Sequence, residues 1–288
     1  MNYRHAYHAG NFADVLKHVV LTLVIEHMKL KPAPFRIIDT HAGIGRYDLA
    51  GVEAAKTGEW RDGIGRLMAE EPPEPLRALL APYLDILRAA NGGRALRCYP
   101  GSPAIARALM RLGDRLIANE LHPDDAARLQ QHFAGDAQVK VLRLDAWIAL
   151  KALLPPKERR GIVLVDPPFE EPGEFKRILK GLREALHRFA TGTYLLWFPI
   201  KDAGPIATFC RGISQLAPGR ALRVELMIRA PRNPEALNGC GVLVVNPPFT
   251  LAAQLERLLP YLSARLAQAE GAGHRLVRIE APRARTSV

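Results

Sequence analysis

The stretch FRIIDTHAGIG, residues 35–45, joins a short apolar run to a turn that contains two glycines. The β-branched and aromatic residues at its start predict a strand, and Gly43 and Gly45 let the following backbone approach a ligand closely. The third glycine of the dinucleotide-binding fingerprint is missing, because residues 46–48 read RYD. The turn therefore favours a nucleoside without phosphates over a dinucleotide, and a turn that holds no ligand is the alternative.

Further short apolar runs alternate with helical stretches along the rest of the chain. This alternation predicts a mostly parallel sheet with helices on both faces, the doubly wound α/β arrangement. The strands are apolar almost throughout, which indicates burial on both faces. We therefore predict a Rossmann-like fold with seven strands, at residues 35–39, 115–119, 139–144, 161–166, 193–198, 221–228 and 241–246.

Three segments lie outside this alternation. Residues 12–30 predict a buried helix before the first strand, with Asn11 as its N-cap. Residues 50–100 are predicted to form a small helical insertion, because so long a connection is rarely structureless. The chain would then be one Rossmann-like domain over residues 1–288, with a basic tail after Gly273 that frays at its end.

The charge balance favours a polyanionic partner. The 288 residues include 40 Lys and Arg against 29 Asp and Glu, a formal net charge of +11. Such an excess favours nucleic acid first and an acidic membrane surface second, and solubility alone is the competing explanation. A hydrophobic fraction of 48% excludes disorder as the main state.

The cysteines and histidines predict neither a disulfide framework nor a metal site. Cys98, Cys210 and Cys240 are odd in number and far apart. His5 and His8 lack a third ligand at a recognisable spacing.

No apolar run approaches the roughly 18 residues that span a bilayer, and the start of the chain lacks the apolar core of a signal peptide. We expect a monomeric protein of the cytoplasm.

Acidic residues follow the second and third predicted strands. Ligands of open α/β sheets bind beyond the carboxyl ends of the strands. Glu120 lies at one such end and could accept hydrogen bonds from a ribose diol, while Asp145 lies at the next and could accept from an adenine amino group. Either acid alone would more simply be a helix cap. Together, after the glycine turn, they predict a nucleoside site.

The fourth predicted strand ends in Asp166-Pro167-Pro168-Phe169. Prolines could merely end the strand, but the tetrapeptide also suits methylation of an exocyclic adenine amine. The Asp166 carboxylate would accept one N–H and the Pro167 carbonyl the other, which directs the nitrogen lone pair at the methyl donor. Phe169 would stack on an extruded base, and Asp166 is also the candidate base.

A second copy of the pattern, Asn246-Pro247-Pro248-Phe249, follows the seventh predicted strand. In the usual methyltransferase sheet this strand is antiparallel, so its end lies away from the cofactor. We therefore predict catalysis at the first copy only, with the loop at residues 230–240 facing the site instead.

Six blocks of the sequence resemble the bacterial RlmJ (YhiR) family, over residues 3 to about 274. This resemblance implies a class I methyltransferase that transfers a methyl group from S-adenosylmethionine to one adenine N6 of 23S rRNA, with adenine 2030 as the family target. The blocks are YRHAYHAGNFADVLKH (3–18), DTHAGIGRY (39–47), YPGSP (99–103), NELHP (119–123), VDPPF (165–169) and ATGTYLLWFPI (190–200).

The resemblance also implies roles for individual residues. Asp166 would be catalytic, and Tyr3 would contact the RNA, with Arg4 and Lys17 as further candidates at the same rim. The RNA would be protein-free or in an early assembly intermediate. By the resemblance, the cofactor would be held by His18, His41, Ser102, Glu120, Asp145 and Ala146, with Asp166 beside it. The glycine turn adds Gly43 and Gly45 to this set.

Other functions remain open at this point. A DNA adenine-N6 methyltransferase uses the same tetrapeptide, and a protein-glutamine methyltransferase uses a related one. A non-enzymatic RNA-binding protein would have no use for the acids at the strand ends.

Overall fold

A computed structural model describes residues 4–282 of the chain. Its strands are β1 (Arg36–Asp39), β2 (Arg46–Asp48), β3 (Cys98–Pro100), β4 (Arg115–Asn119), β5 (Val139–Leu142), β6 (Gly161–Val165), β7 (Thr193–Ile200), β8 (Ala221–Met227), β9 (Gly239–Val245) and β10 (Gly273–Ile279). Its α-helices are α1 (Phe12–Lys29), α2 (Val52–Thr57), α3 (Ile64–Met68), α4 (Leu76–Ala90), α5 (Ser102–Leu109), α6 (Pro123–His132), α7 (Ala146–Leu153), α8 (Glu174–Arg188), α9 (Ala203–Leu216) and α10 (Leu251–Leu266).

The main sheet has eight strands in the order β10-β8-β9-β7-β6-β1-β4-β5. The five strands from β7 to β5 pair in parallel, and β9 runs antiparallel between β7 and β8. Helices α1, α4, α5 and α10 cover one face, while α7, α8 and α9 cover the other. The predicted doubly wound α/β fold is confirmed, and the burial of every residue of β6 and β9 explains their continuous apolar sequence.

The predicted strand count of seven was wrong, because β10 forms an eighth strand where a basic tail was expected. This strand pairs antiparallel with β8 from Gly273↔Met227 to Ile279↔Ala221. Its apolar side chains at Leu276 and Ile279 pack against the two faces of the core. Arg275 and Arg278, beside these positions, masked the pattern in the sequence. A second small sheet, made of β2 and β3, was also missed.

Helix α1 begins as the sequence predicted. The Asn11 side-chain oxygen accepts hydrogen bonds from the backbone N–H groups of Ala13 and Asp14, at 2.9 and 3.0 Å. Such a cap satisfies two donors that the first helical turn leaves without partners. The helix is buried from Phe12 through Ile25 and packs on α5 and β9. Its first turns therefore lie deep inside the protein.

The segment between β1 and α5 contains three helices, α2, α3 and α4. Three prolines, Pro72, Pro73 and Pro75, separate α3 from α4. Helix α4 buries Leu80, Tyr83, Leu84 and Leu87 in the same core that receives α1 and α5. No helix within residues 4–282 combines the length and apolar character needed to cross a membrane.

The second Pro-Pro-Phe motif lies at the opposite edge of the sheet from Asp166, as predicted. It follows the antiparallel strand β9, whose end pairs with the start of β7. Asn246 has a φ of +51° and donates from its side-chain nitrogen to the carbonyls of Ala190 and Gly192, at 2.9 and 2.7 Å. Its amide therefore fastens the turn that enters β7.

We expect Asn246→Ala to lower the free energy of unfolding by about 2–3 kcal/mol, because three side-chain hydrogen bonds are lost, including one that Asn246 accepts from Arg220, and alanine disfavours positive φ. Asn246→Gly loses the same bonds without the backbone cost, so its effect should be roughly 1 kcal/mol smaller. Urea titration followed by circular dichroism measures both. Equal losses for the two variants would contradict the assigned backbone strain.

Candidate active site

A cavity of about 630 Å³ opens beyond the carboxyl ends of β1, β4, β5 and β6. Its walls come from the turn after β1, the starts of α5 and α7, and the first turns of α1. Residues far apart in the sequence thus meet at one edge of the sheet, as the strand-end rule requires. Among the predicted cofactor residues, those that line it are His18, His41, Gly43, Ser102, Glu120, Asp145, Ala146 and Asp166.

The glycine turn is held by the acid that follows β4. The backbone N–H of Gly43 donates to one oxygen of Glu120 at 2.9 Å, and the N–H of His122 donates to the other at 2.8 Å. Gly43 has a φ of +61°, and a Cβ there would lie 2.1 Å from the Tyr47 hydroxyl. Glycine is therefore required at position 43. Burial raises the pKa of the Glu120 carboxyl although the two backbone hydrogen bonds oppose this shift.

Gly45 does not line the cavity, which departs from its predicted contact with the cofactor. Its carbonyl accepts a hydrogen bond from the N–H of Gly101 at 2.9 Å, and its Cα faces Leu129 and His132. With a φ of +80°, it turns the chain into β2. Its role in the structure is to shape the loop.

Asp145 serves as a helix cap and lines the cavity as well. One carboxylate oxygen accepts the N–H groups of Trp147 and Ile148, at 3.0 and 3.1 Å. The adjacent Trp147 ring lies edge-on to His41, with 6.3 Å between centroids. Burial lowers the pKa of His41 to about 4, so its imidazole is neutral near pH 7.

Ser102 binds another side chain and does not cap α5. Its hydroxyl donates to Asp39 at 2.6 Å, and Gly101 occupies the N-cap. Asp39 is only 1% exposed, and burial raises its pKa to about 6 although Ser102 and Lys17 oppose that shift. Sequence reasoning did not single out Asp39, though a carboxylate at the end of an apolar strand was the available signal.

Lys17 forms a buried ion pair with the proposed catalytic acid. Its ammonium lies 2.6 Å from Asp166 and 2.8 Å from Asp14, and its side chain is 5% exposed. Burial opposes ionisation of both Lys17 and Asp14, but the charges around them together outweigh it. Asp14 and Asp166 raise the pKa of Lys17, while His5 and Lys17 lower that of Asp14. The sequence suggested Lys17 as an RNA contact. Its ammonium is instead held by Asp14 and Asp166 and is not available to an RNA phosphate.

The ion pair extends toward the rim through His5. The His5 ring lies 2.9 Å from Asp14, whose same oxygen accepts the backbone N–H of Gly10 at 2.8 Å. Arg4, another predicted RNA contact, lies 3.3 Å from Asp124 and 3.8 Å from Asp125 at the start of α6. Tyr3 lies outside the described residues.

A second cavity of about 250 Å³ adjoins the first. The two share the side chains of His5, Lys17, Asp166, Pro167 and Pro168 as a common wall. The remaining lining residues of the second cavity include Asn11, Phe169, Trp197, Lys201 and Leu237.

Phe169 belongs to this smaller cavity alone. It has a φ of +53°, an uncommon conformation for a bulky residue, and its ring lies 5.8 Å from Trp197 and 5.0 Å from Phe175. The two edge-on contacts hold the ring in one orientation. The loop 230–240, predicted to face the site, contributes Leu237.

The larger cavity is acidic although the protein is basic. Within residues 4–282, only Lys17 and Arg177 bring cationic side chains to its lining, besides histidines. No group of three or more His, Cys, Asp or Glu side chains in the described part of the chain could hold a metal ion. The acids that line the cavity are Glu120, Asp125, Asp145, Asp166, Glu170, Glu171 and Glu174.

The raised pKa of Asp39 predicts a pH effect on stability. A carboxyl whose pKa is about 6 when folded and 3.8 when unfolded stabilises the fold below pH 4, and this contribution is lost as pH rises through 6. Asp39→Asn should therefore become more stable relative to the parent, by about 3 kcal/mol, between pH 4 and pH 7.

Denaturant titration at several pH values measures this difference. A pH-independent difference for Asp39→Asn would contradict the assigned pKa.

The comparisons with known proteins agree over nearly the whole chain. The family model described as "Ribosomal RNA large subunit methyltransferase D, RlmJ" matches residues 32–279. A Haemophilus influenzae protein named ribosomal RNA large subunit methyltransferase J is 42% identical over 275 residues, which is 95% of this chain and 96% of that protein. The Escherichia coli K12 protein of the same name is 40% identical and covers 96% of this chain and 98% of its own.

A solved structure extends the similarity to three dimensions. Protein LPL1258 of Legionella pneumophila superposes with a TM-score of 0.85 at 32% identity, over 94% of this chain and 98% of that one. The resemblance seen in the six sequence blocks is thereby confirmed. With this match of fold, length and sequence, the chain belongs to the RlmJ family of ribosomal RNA large subunit methyltransferases.

Proposed function

We propose that this protein transfers a methyl group from S-adenosylmethionine to the N6 amine of one adenine in 23S rRNA, with adenine 2030 as the family target. The observation that carries this proposal is the pair of adjoining cavities that share Asp166, Pro167 and Pro168 as a wall. One cavity suits the cofactor and the other a single base. The residues that line both cavities would then lie where the methyl donor and the target base meet.

The donor set of the larger cavity fits S-adenosylmethionine. His18 has a buried ring nitrogen, Nε2, without a hydrogen-bond partner among the described residues, and Gly43 lines the cavity beside it. Glu120 and Asp145 offer oxygen acceptors for the ribose hydroxyls and the adenine amine. The acidic lining suits a positively charged sulfonium. When bound, the cofactor supplies an electrophilic methyl group.

The smaller cavity suits an extruded adenine. Its aromatic rings, Phe169 and Trp197, offer surfaces for a flipped base, as enzymes that modify bases require. Lys17 occupies one carboxylate oxygen of Asp166 and leaves the other for an N–H of the target amine. The Pro167 carbonyl would accept the second N–H. These contacts point the nitrogen lone pair at the neighbouring cavity.

The protons of the reaction can be followed through the same residues. Attack by the amine nitrogen on the methyl carbon would form the new N–C bond as the S–C bond breaks, with S-adenosylhomocysteine as the leaving group and a positive charge left on nitrogen. Loss of one N6 proton restores the neutral amine, and Asp166 lies where it can accept that proton. Burial of Pro167 and of Lys17 limits the access of water to this point.

We expect Asp166→Ala to reduce methyl transfer at least about 100-fold while S-adenosylhomocysteine binding persists. Asp166→Asn keeps the side-chain volume and one acceptor oxygen but removes the negative charge. A loss of activity as large as that of Asp166→Ala would show that the charge is needed. Transfer of labelled methyl groups to protein-free 23S rRNA that lacks the modification measures activity, and calorimetry measures binding.

The matched control is Asn246→Ala, assayed where that variant is folded, since it alters the other Pro-Pro-Phe motif. It should retain near-parental turnover. Duplex DNA with the same sequence is tested in parallel. Near-normal turnover by Asp166→Ala, or transfer to DNA but not to rRNA, would refute the proposal.

The RNA backbone should be bound at the rim of the smaller cavity. Lys201 is exposed there, and no ion pair occupies it among the described residues. We expect Lys201→Gln to raise the KM for rRNA several-fold and to reduce the dependence of binding on salt, because one fewer counterion is released.

Lys157→Gln is the control for this change. Lys157 is also exposed but precedes β6, at the opposite edge of the sheet. It should leave both the KM and the slope of binding against salt unchanged. The same effect from both variants would mean that only net charge matters.

A further inference from the structure

Three buried polar rings form a chain from the insertion to the cofactor cavity. The hydroxyl of Tyr83, on α4, lies 2.9 Å from the hydroxyl of Tyr99, on β3. The Tyr99 hydroxyl lies 2.6 Å from Nδ1 of His18, on α1. All three side chains are fully buried, and the His18 and Tyr99 rings are stacked with 5.6 Å between centroids. His18 alone of the three lines the cavity.

The hydrogen bonds among Tyr83, Tyr99 and His18 can run in two directions. In the first, Tyr83 donates to Tyr99, and Tyr99 donates to His18 Nδ1. In the second, His18 Nδ1 donates to Tyr99, and one tyrosine hydrogen, that of Tyr83 or that of Tyr99, then has no acceptor among the described residues. A buried hydroxyl without an acceptor is costly, so the first direction is favoured.

The first direction determines which nitrogen of His18 carries the hydrogen. Burial lowers the pKa of His18 to about 3, so the ring is neutral near pH 7 and has a single N–H. Because Nδ1 accepts from Tyr99, that N–H is on Nε2. Nε2 is buried and has no partner among the described residues. The protein thus presents an unmet donor at the cavity wall.

We propose that Tyr99 is a positioning residue that holds His18 in the Nε2–H tautomer, so that His18 donates to the carboxylate of the cofactor's methionyl end. This inference rests on the proposed function, which puts the cofactor in the larger cavity. The carboxylate is the group that matches, because the sulfonium and the ammonium of the cofactor cannot accept a hydrogen bond. Glu120 and Asp145, as acceptors, suit its ribose and adenine instead.

The design needs a variant that removes the Tyr99 hydroxyl without leaving Tyr83 unpaired. Y83F/Y99F does this, because it replaces both partners of one hydrogen bond by apolar rings of the same shape. Y83F alone is the matched control, since Tyr99 can still donate to His18. Thermal unfolding of each variant verifies that the fold is kept.

The first measurement is the tautomer of His18 in the free protein. Nitrogen-15 spectra of histidine-labelled protein distinguish Nδ1 from Nε2 protonation, and the His18 signals are those absent from His18→Gln. We expect the Nε2–H pattern in the parent and in Y83F. In Y83F/Y99F, a mixture of the two tautomers or the Nδ1–H pattern is expected.

The second measurement compares two ligands by calorimetry: S-adenosylhomocysteine and its decarboxylated analogue, which lacks only the carboxylate. Y83F/Y99F should weaken binding of S-adenosylhomocysteine about 3- to 10-fold and that of the analogue less than about twofold. Y83F should bind both ligands within about twofold of the parent. A general structural defect would weaken both ligands alike.

Several outcomes would overturn the inference. These are an Nδ1–H pattern in the parent, an unchanged tautomer in Y83F/Y99F, or an equal loss of affinity for the two ligands. Failure of the parent to bind S-adenosylhomocysteine would instead refute the cofactor cavity of the proposed function, and with it the role of His18 there. The tautomer spectra of the free protein separate these two failures.

Discussion

The buried ion pair between Lys17 and Asp166 is the contact on which the rest of the site depends. It joins the second turn of α1 to the end of β6, and its two side chains form part of the wall between the cavities. Asp14 and His5 continue it toward the surface. Removing one partner of such a pair leaves a buried charge, which typically costs about 3–5 kcal/mol. The position of the acid is therefore coupled to the docking of a whole helix, so the geometry of the reaction and the packing of the core are set together.

Opposite charges divide the surface between the two ligands. The net charge of +11 attracts RNA from a distance, whereas the carboxylates around the larger cavity repel phosphates at close range. A polyanion can therefore approach the rim but is disfavoured inside the cofactor cavity. Under the proposed function, an uncharged base detached from its stack would enter the smaller cavity beside Phe169 and Trp197. The RNA backbone would then stay outside.

The parts of the site that follow strands were accessible from the sequence, because local pattern and the strand-end rule place them. Gly43, Glu120, Asp145 and Asp166 were found in this way, and the Asn11 cap by its neighbours. The partners of Lys17 and Ser102 were not, since these contacts join residues 149 and 63 positions apart. Strand β10 was missed for a different reason: an edge strand needs few apolar residues, and its arginines resemble a solvated tail.

Strand β10 also has a consequence for how copies of the protein avoid one another. Without it, the backbone of β8 would offer open donors and acceptors that a second molecule could extend into a shared sheet. The chain closes that border with its own last described strand and sets Arg275 and Arg278 along the new boundary. Truncation before Gly273 would thus favour aggregation at high concentration, although this strand lies far from either cavity. Strand β10 therefore protects the edge of the sheet from pairing with a second molecule.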